Sequence, residues 1–480
     1  MEIFKEPIFR YFEQISKIPR ESGNEKAISD YLVSFAKEKK LEVLQDEAMN
    51  VIIKKPGTKG YENAPTVIIQ GHMDMVCDKN KSTDHDFGKD PIKLKVDGDM
   101  IYADNTTLGG DDGIAIAYAL ELLASDDIYH PPIEVLMTAN EEVGMDGAIA
   151  VDPKNLTGNI LINIDSEEEG RILVSCAGGI TTKQTLPIVW DTLKGDGRHY
   201  DISIRGLKGG HSGSEINLGR GNSNILMGRV LKRLIDEVDI SIASINGGQK
   251  VNAIPREADA QVFVKKAEKE KFLKLIDELN AILKLELRAS DPDVMICAKE
   301  SDEKLNKVFS KETARKAIYS LLLIPNGIQT MSMEIEGLVE SSSNIGIVTT
   351  LDESIIFESA VRSSVKSLKK LILDKSKAAA NLLGAGFGGV ADYPEWQYEP
   401  DSKIRELFEK GYKEFYGEEP EIVAIHAGLE CGLFKEKMPH LDMVSFGPNI
   451  YDAHTPNEHM SISSVKRTWE YFLSVLKKIK

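Results

Sequence analysis

Five short stretches place imidazoles and carboxylates where strand ends or glycine-rich loops would expose them. They read GHMDMV (His72, Asp74), TTLGGDDGI (Asp111, Asp112), MTANEEVGMDGA (Glu141, Glu142), NIDSEEEG (Asp165) and YDAHTPNEH (His454). In the first, a histidine and an aspartate stand two residues apart after the apolar run TVIIQ. Side chains alternate faces on an extended chain, so His72 and Asp74 point the same way. Their apolar neighbours imply burial, where an unpaired polar group is costly, so both need a partner. Two imidazoles and three carboxylates together suit a pair of divalent cations of hard-to-borderline character, zinc or manganese.

Taken singly, each stretch has a plainer explanation. A histidine or aspartate at a strand end is usually a turn or surface group. GGDDG is ordinary turn composition, because glycine and aspartate dominate turns for backbone reasons. A Glu-Glu pair can open any solvated loop, and NIDSEEEG could start an acidic helix. The shared address separates a site from coincidence. Open α/β sheets collect ligands outside the carboxyl ends of their strands, and most of these stretches follow or border an apolar strand.

The elements that must deliver those residues alternate along the first part of the chain. Helices are expected over EPIFRYFEQISKI, EKAISDYLVSFAKEKK and GIAIAYALELLAS. Strands are expected at LEVLQ, NVIIKK, TVIIQGHMD, IEVLMTAN, NILINID and RILVSC. Short apolar strands among helices predict a mixed, largely parallel sheet covered on both faces. From about residue 188 the texture changes to solvent-facing strands (HYDISIRGLKGGHSG, ADAQVFVKK) and charged amphipathic helices such as AEKEKFLKLIDELNAILKLEL. Two segments there echo each other, NAIPREADAQVFVKKAEKEKFLKLI and NIGIVTTLDESIIFESAVRSSVKSLKKLI, each a strand followed by a basic helix. After GVADYPEWQYEP the first texture returns, with helices KIRELFEKGYKEFY and SSVKRTWEYFLSVLKKIK and strands EIVAIHAG and DMVSFGP. The expected architecture is an α/β catalytic domain over residues 1–187 and 395–480, interrupted by an inserted α+β domain over 188–394.

Size and charge narrow the function. A chain of 480 residues exceeds what one hydrophobic core usually serves. A formal net charge of −17 with no basic cluster argues against a nucleic-acid partner. No apolar run approaches the ~20 residues needed to cross a bilayer, so no membrane partner is expected. The opening MEIFKEPIFRYFEQI, with early acids and helical spacing, is unlike a signal peptide. Cys77, Cys176, Cys297 and Cys431 are scattered without CxxC spacing, which fits reduced thiols and a cytoplasmic home.

GHMDMV, TTLGGDDG, TANEEVGMDGA, NIDSEEEG, KGGHSG, VNAIPRE and the late His454 together resemble the M20 metallopeptidases, almost end to end from IPRESGNE to DAHTPNEHMSI. NIDSEEEG, SCAGG and HAGLECGLFK are strings of a branch that cleaves Xaa-His dipeptides. The resemblance implies a zinc-exopeptidase-like catalytic domain whose mixed sheet is covered on both sides, with an inserted lid. It implies two divalent cations per subunit, zinc or alternatively manganese or cobalt, and metal-dependent hydrolysis of unblocked dipeptides. Tripeptides, cysteinylglycine and N-acyl amino acids are alternative substrates. A metal-binding relative without catalysis is the reading from another class.

Carried over by position, the resemblance gives His72 and Asp165 to one cation, Glu142 and His454 to the other, with Asp111 bridging. Cations ~3.5–4 Å apart need negative charge between them. Asp74 would accept a hydrogen bond from His72 and fix its tautomer. Asp111–Asp112 falls where the family has a cis peptide. Many relatives in the branch carry Asn at the second position, so Asp112 stays out of the ligand set. Glu141 would be the general base on a water held between the cations, a role that metal retention alone does not require. His211 would bind the substrate carbonyl oxygen. Asn252 and Arg362 would grip the small peptide, Arg362 taking its carboxylate bidentately, with Arg256 as rival. His426 and Glu430 would line the pocket, while His85, His130, His199 and His440 would be surface residues. Shorter-lidded members pair lids in a homodimer and exchange the equivalent of His211; the longer insertion here could serve its own chain.

Overall fold

Strand Val67–His72 is buried at every residue, and so is Ile133–Thr138. Alternate side chains of a strand face opposite ways, so both faces of the sheet that holds them are covered. The computed structural model describes residues 2–302 and 306–480. The chain forms two units. One comprises Met1–Ser175, Tyr398–Ala424 and Leu429–Lys480; the other comprises Cys176–Gln397 and Ile425–Gly428.

Among the described residues the first unit is built on an eight-stranded sheet. Its order is Glu42–Gln45, Val51–Lys55, Ile133–Thr138, Val67–His72, Ile160–Asn163, Asp442–Ser445, Arg171–Cys176 and Glu421–Ile425. The four central strands, Ile133–Thr138 through Asp442–Ser445, run parallel. Antiparallel pairings flank them, so the sheet is parallel in its middle and not over most of its width. Because His72 is level with Thr138, and Gln70 with Asn163, these parallel strands end along one edge.

Helix Gly110–Ala124 (GDDGIAIAYALELLA) is apolar nearly all round and buried accordingly, packing on Val67–His72 and on helix Pro7–Ile15. The last helix, Ile462–Leu476, is capped by the Ser461 hydroxyl, which accepts the Ser464 N–H. A small sheet (Ile450–Tyr451, His459–Ser461, Met100–Ala103, Leu94–Asp97) holds the loop between its first two strands.

The second unit centres on an antiparallel sheet in the order Met295–Ser301, Gly197–Arg205, Ala258–Lys265, Ile240–Gly247, Val339–Thr350, Ser354–Ser363, Gly178–Pro187 and Gly386–Tyr393, with Gly327–Met331 also paired to Val339–Thr350. Its core joins Val262 and Phe357 of the sheet to Leu231, Phe272 and Leu321 of three helices. Both echoing segments form a strand and then a helix, Ala258–Lys265 with Lys269–Glu286 and Ser354–Ser363 with Lys366–Leu383. Strand Gly178–Pro187 belongs to this unit because it pairs along its whole length with Ser354–Ser363.

Candidate metal centre

Three adjacent parallel strands deliver the first group of side chains. His72 ends its strand, Asp165 follows Ile160–Asn163 by two residues, and Glu141 and Glu142 open a short helix three residues beyond Ile133–Thr138. The His72 Nε2 lies 3.0 Å from Asp111 Oδ1 and 3.6 Å from Asp165 Oδ1. Its Nδ1 faces Asp74 Oδ1 at 3.4 Å. Asp74, fully buried, accepts the backbone N–H of Glu141 at 3.0 Å, that of Glu142 at 3.2 Å and the Ser22 hydroxyl at 2.8 Å. Burial alone would raise the Asp74 pKa, yet His72 and these donors hold it at about 2. An ionised Asp74 keeps the proton of His72 on Nδ1 and leaves Nε2 free to ligate.

Asp111 sits at the start of helix Gly110–Ala124, with a cis peptide joining it to Asp112. Its two oxygens face two imidazoles: Oδ1 meets His72, and Oδ2 lies 3.0 Å from His454 Nε2. His454 Nε2 is also 2.9 Å from Glu142 Oε1. The backbone beneath Asp111 is gripped by Glu458, a buried carboxylate from the loop that carries His454. Glu458 Oε2 accepts the N–H groups of Leu108 and Gly109 at 2.7 and 3.0 Å, and Oε1 those of Gly110 and Asp111 at 2.7 and 3.4 Å. Buried Arg20 ties the same turn to the strand end by donating to the carbonyls of Met73, Asp74 and Gly109.

The charge balance fits cations. Asp111 is driven well below its ordinary range by its two imidazoles, against the effect of burial. Burial, with neighbouring acids adding to it, pushes Asp165 up to about 6, Glu167 to about 7, Glu430 to about 8 and Glu141 to about 9. Acids gathered this closely repel one another and need positive charge among them. Among the described residues three groups have ligand atoms mutually within 4.8 Å: His72, Glu141 and Glu142; His72, Asp112 and Asp165; and Asp111, Glu142 and His454. Asp112 enters one of them, but its Oδ2 already accepts the His72 N–H at 3.1 Å.

The second unit holds the other candidates. His211 lies in a two-residue strand paired with Ala253–Ile254, so Asn252 adjoins its cross-strand neighbour, and the Asn252 carbonyl accepts the Ser212 N–H at 2.9 Å. The Ser214 N–H donates to His211 Nδ1 at 3.1 Å, which places the ring proton on Nε2. Burial and then Arg362 lower the His211 pKa. Gly213 keeps this turn open, since a Cβ there would come within 3.0 Å of the His211 ring. Arg362 is nearly buried, whereas Arg256 is exposed.

Two expectations are corrected. His130 and His85 are core residues: His130 has its Nδ1 2.7 Å from the Pro131 carbonyl, and the His85 ring packs edge-on against Phe87 with centroids 4.5 Å apart. Sequence reasoning missed Glu458 and Arg20, although both stand inside quoted strings, NEH and IPRES. It also missed how Glu430 is held, its Oε2 accepting the Gln70 amide at 2.5 Å and the Thr138 hydroxyl at 2.8 Å.

The chain was compared with known proteins. It is 38% identical over 479 residues to the cytosol non-specific dipeptidase of Escherichia coli (strain K12), covering 100% of this chain and 98% of that protein. The crystal structure of aminoacylhistidine dipeptidase from Vibrio alginolyticus superposes with a TM-score of 0.96 at 40% identity, covering 100% of this chain and 98% of the other. Aminopeptidase PepT from Bacillus cereus shares the fold at a TM-score of 0.58 and 16% identity, with 99% and 98% covered. Residues 68–478 match the model of peptidase family M20/M25/M40, and with the full-length relatives this makes the chain a member of that family.

Proposed function

We propose that this family member hydrolyses unblocked dipeptides, Xaa-His among them, with two divalent cations and Glu141 as general base. Two full-length relatives, matched at 38% and 40% identity, are named as dipeptidases, which supports the substrate class. The observation that carries the reading is Asp111, whose two carboxylate oxygens each meet a different imidazole at 3.0 Å. That arrangement suits one cation on His72 and Asp165, another on Glu142 and His454, and Asp111 between. Asp74 would set the His72 tautomer from behind. The cations are zinc in this reading, with manganese and cobalt the alternatives that metal add-back separates. The name of the Escherichia coli relative also supports a cytosolic setting.

Cations bound there would acidify a water molecule and polarise the scissile carbonyl. The chain's own residues handle the protons. Burial and then Asp165, Glu430 and Glu142 raise the Glu141 pKa, and cations held among these acids would offset that and keep its carboxylate ionised, ready to accept a proton. It takes a proton from the attacking water and delivers it to the leaving amine nitrogen, as a general base and then a general acid. His211 carries its ring proton on Nε2 and would suit a carbonyl oxygen that bears developing charge. Asn252 stands next to that histidine's strand and suits the peptide backbone, and Arg362 suits the carboxylate.

The test is a dipeptide panel, run with chelator and then with each metal restored. Activity lost to chelator and regained with metal is expected. Glu141→Gln should lower kcat by a factor on the order of 10² or more while metal content stays unchanged. No dipeptide turnover with any metal would remove the proposal, and full turnover in Glu141→Gln would remove the base assignment.

A further inference from the structure

Arg362 is 9 % exposed and forms no ion pair among the described residues. A buried guanidinium without a carboxylate beside it is costly, and it is the arrangement that receives an anion. Its Nη1 donates to the Tyr393 hydroxyl at 2.9 Å, and its Nε meets no acceptor. A single row of residues produces this contact. Ser342 stands opposite Arg362, Arg362 opposite Gly179, and Gly179 opposite Tyr393, across four neighbouring strands.

Side chains two strands apart are separated by ~10 Å, so Arg362 and Tyr393 can meet only over a residue that has no side chain. Gly179 is that residue: a Cβ there would overlap the Tyr393 hydroxyl. At the other end of the row Ser342 Oγ lies 2.7 Å from His426 Nε2, while His426 Nδ1 is buried with no hydrogen bond. Burial and the charge of Arg362 keep the His426 ring neutral at ordinary pH.

We infer that Tyr393 and His426 make Arg362 selective for a free carboxylate. Tyr393 is a positioning residue that fixes one edge of the guanidinium, and His426 adds a neutral donor from the far side of the row. One fixed cation and one neutral ring match the two oxygens and single charge of a carboxylate better than a dianionic phosphate. The ligand is the C-terminal carboxylate of an unblocked peptide, so the inference rests on the peptidase reading above.

The experiment compares alanyl-histidine with its C-terminal amide on the full chain. Binding is measured by calorimetry in chelator, and kcat/KM is measured with metal restored. The wild type should prefer the free acid in both. Tyr393→Phe, which keeps the ring, and His426→Gln should each cut that preference about tenfold, as loss of a hydrogen bond to a charged group does. Equal losses for acid and amide, no loss in either variant, or a wild type without preference in calorimetry would each overturn the inference. If the wild type hydrolysed neither compound with any metal, the peptidase reading would fail, while calorimetry would still judge the receptor.

Discussion

Asp74 Oδ1 accepts the backbone N–H of Glu141 at 3.0 Å while it faces the His72 ring at 3.4 Å. One carboxylate therefore sets both the ring at the end of strand Val67–His72 and the turn that aims two glutamates. Its second oxygen accepts from Glu142 and Ser22, which leaves it no freedom to rotate.

Asp74→Ala should therefore weaken metal binding by about 10- to 100-fold, because the His72 ring, a proposed ligand, loses its support and the Glu141–Glu142 turn loses its anchor. Competition against a chromophoric chelator measures this directly. Unchanged affinity would mean that packing alone holds His72 in place.

Glu458→Gln keeps the shape of the side chain but turns one acceptor oxygen into an amide donor that faces two backbone N–H groups. Stability should fall by about 1–3 kcal/mol, read by urea denaturation, since buried donors are left unpaired. The variant should also bind metal more weakly, because Asp111 rides on the backbone that Glu458 grips. Denaturation and metal titration curves that overlay the wild type would contradict both.

His426 carries a pH signature. Burial, and then Arg362 and His211, hold its pKa down to about 3 from the ordinary 6.5. Between those values the unfolded chain binds a proton here that the folded chain does not, so stability falls as pH is lowered through that window. His426→Gln should flatten the slope of unfolding free energy against pH, by about 1.4 kcal/mol per pH unit at its steepest. Denaturant titrations at pH 4 to 7 in chelator, wild type against variant, check it, because the metal-site acids titrate in both proteins. Parallel slopes would rule it out.

The central strands are legible in the sequence because VIIQGH, IEVLMT and ILIN are mostly apolar without strict alternation, the pattern of strands covered on both faces. Their carboxyl ends drew attention to His72, Glu141, Glu142 and Asp165, and the structure brings these four together with Asp111 and His454. Glu458 was not legible. Its work is to accept backbone N–H groups nearly 350 positions away, and backbone donors leave no mark on residue type. Tyr393 escaped for a related reason: its meeting with Arg362 depends on the register of three strands and on a glycine between them. His130 could not be told from a surface histidine, because its burial follows from tertiary packing. The end of the first unit was read late for the same cause, since strand Gly178–Pro187 pairs with strands far downstream.

His454 and Glu458 share one loop, and both act on Asp111, 343 positions before His454 in the chain. During synthesis His72 precedes Asp111, but its other two partners, His454 and Glu458, emerge almost last, so a nascent or C-terminally clipped chain has only half of the cradle. Such a chain would lack both the His454 imidazole and the Glu458 grip on the backbone of Asp111.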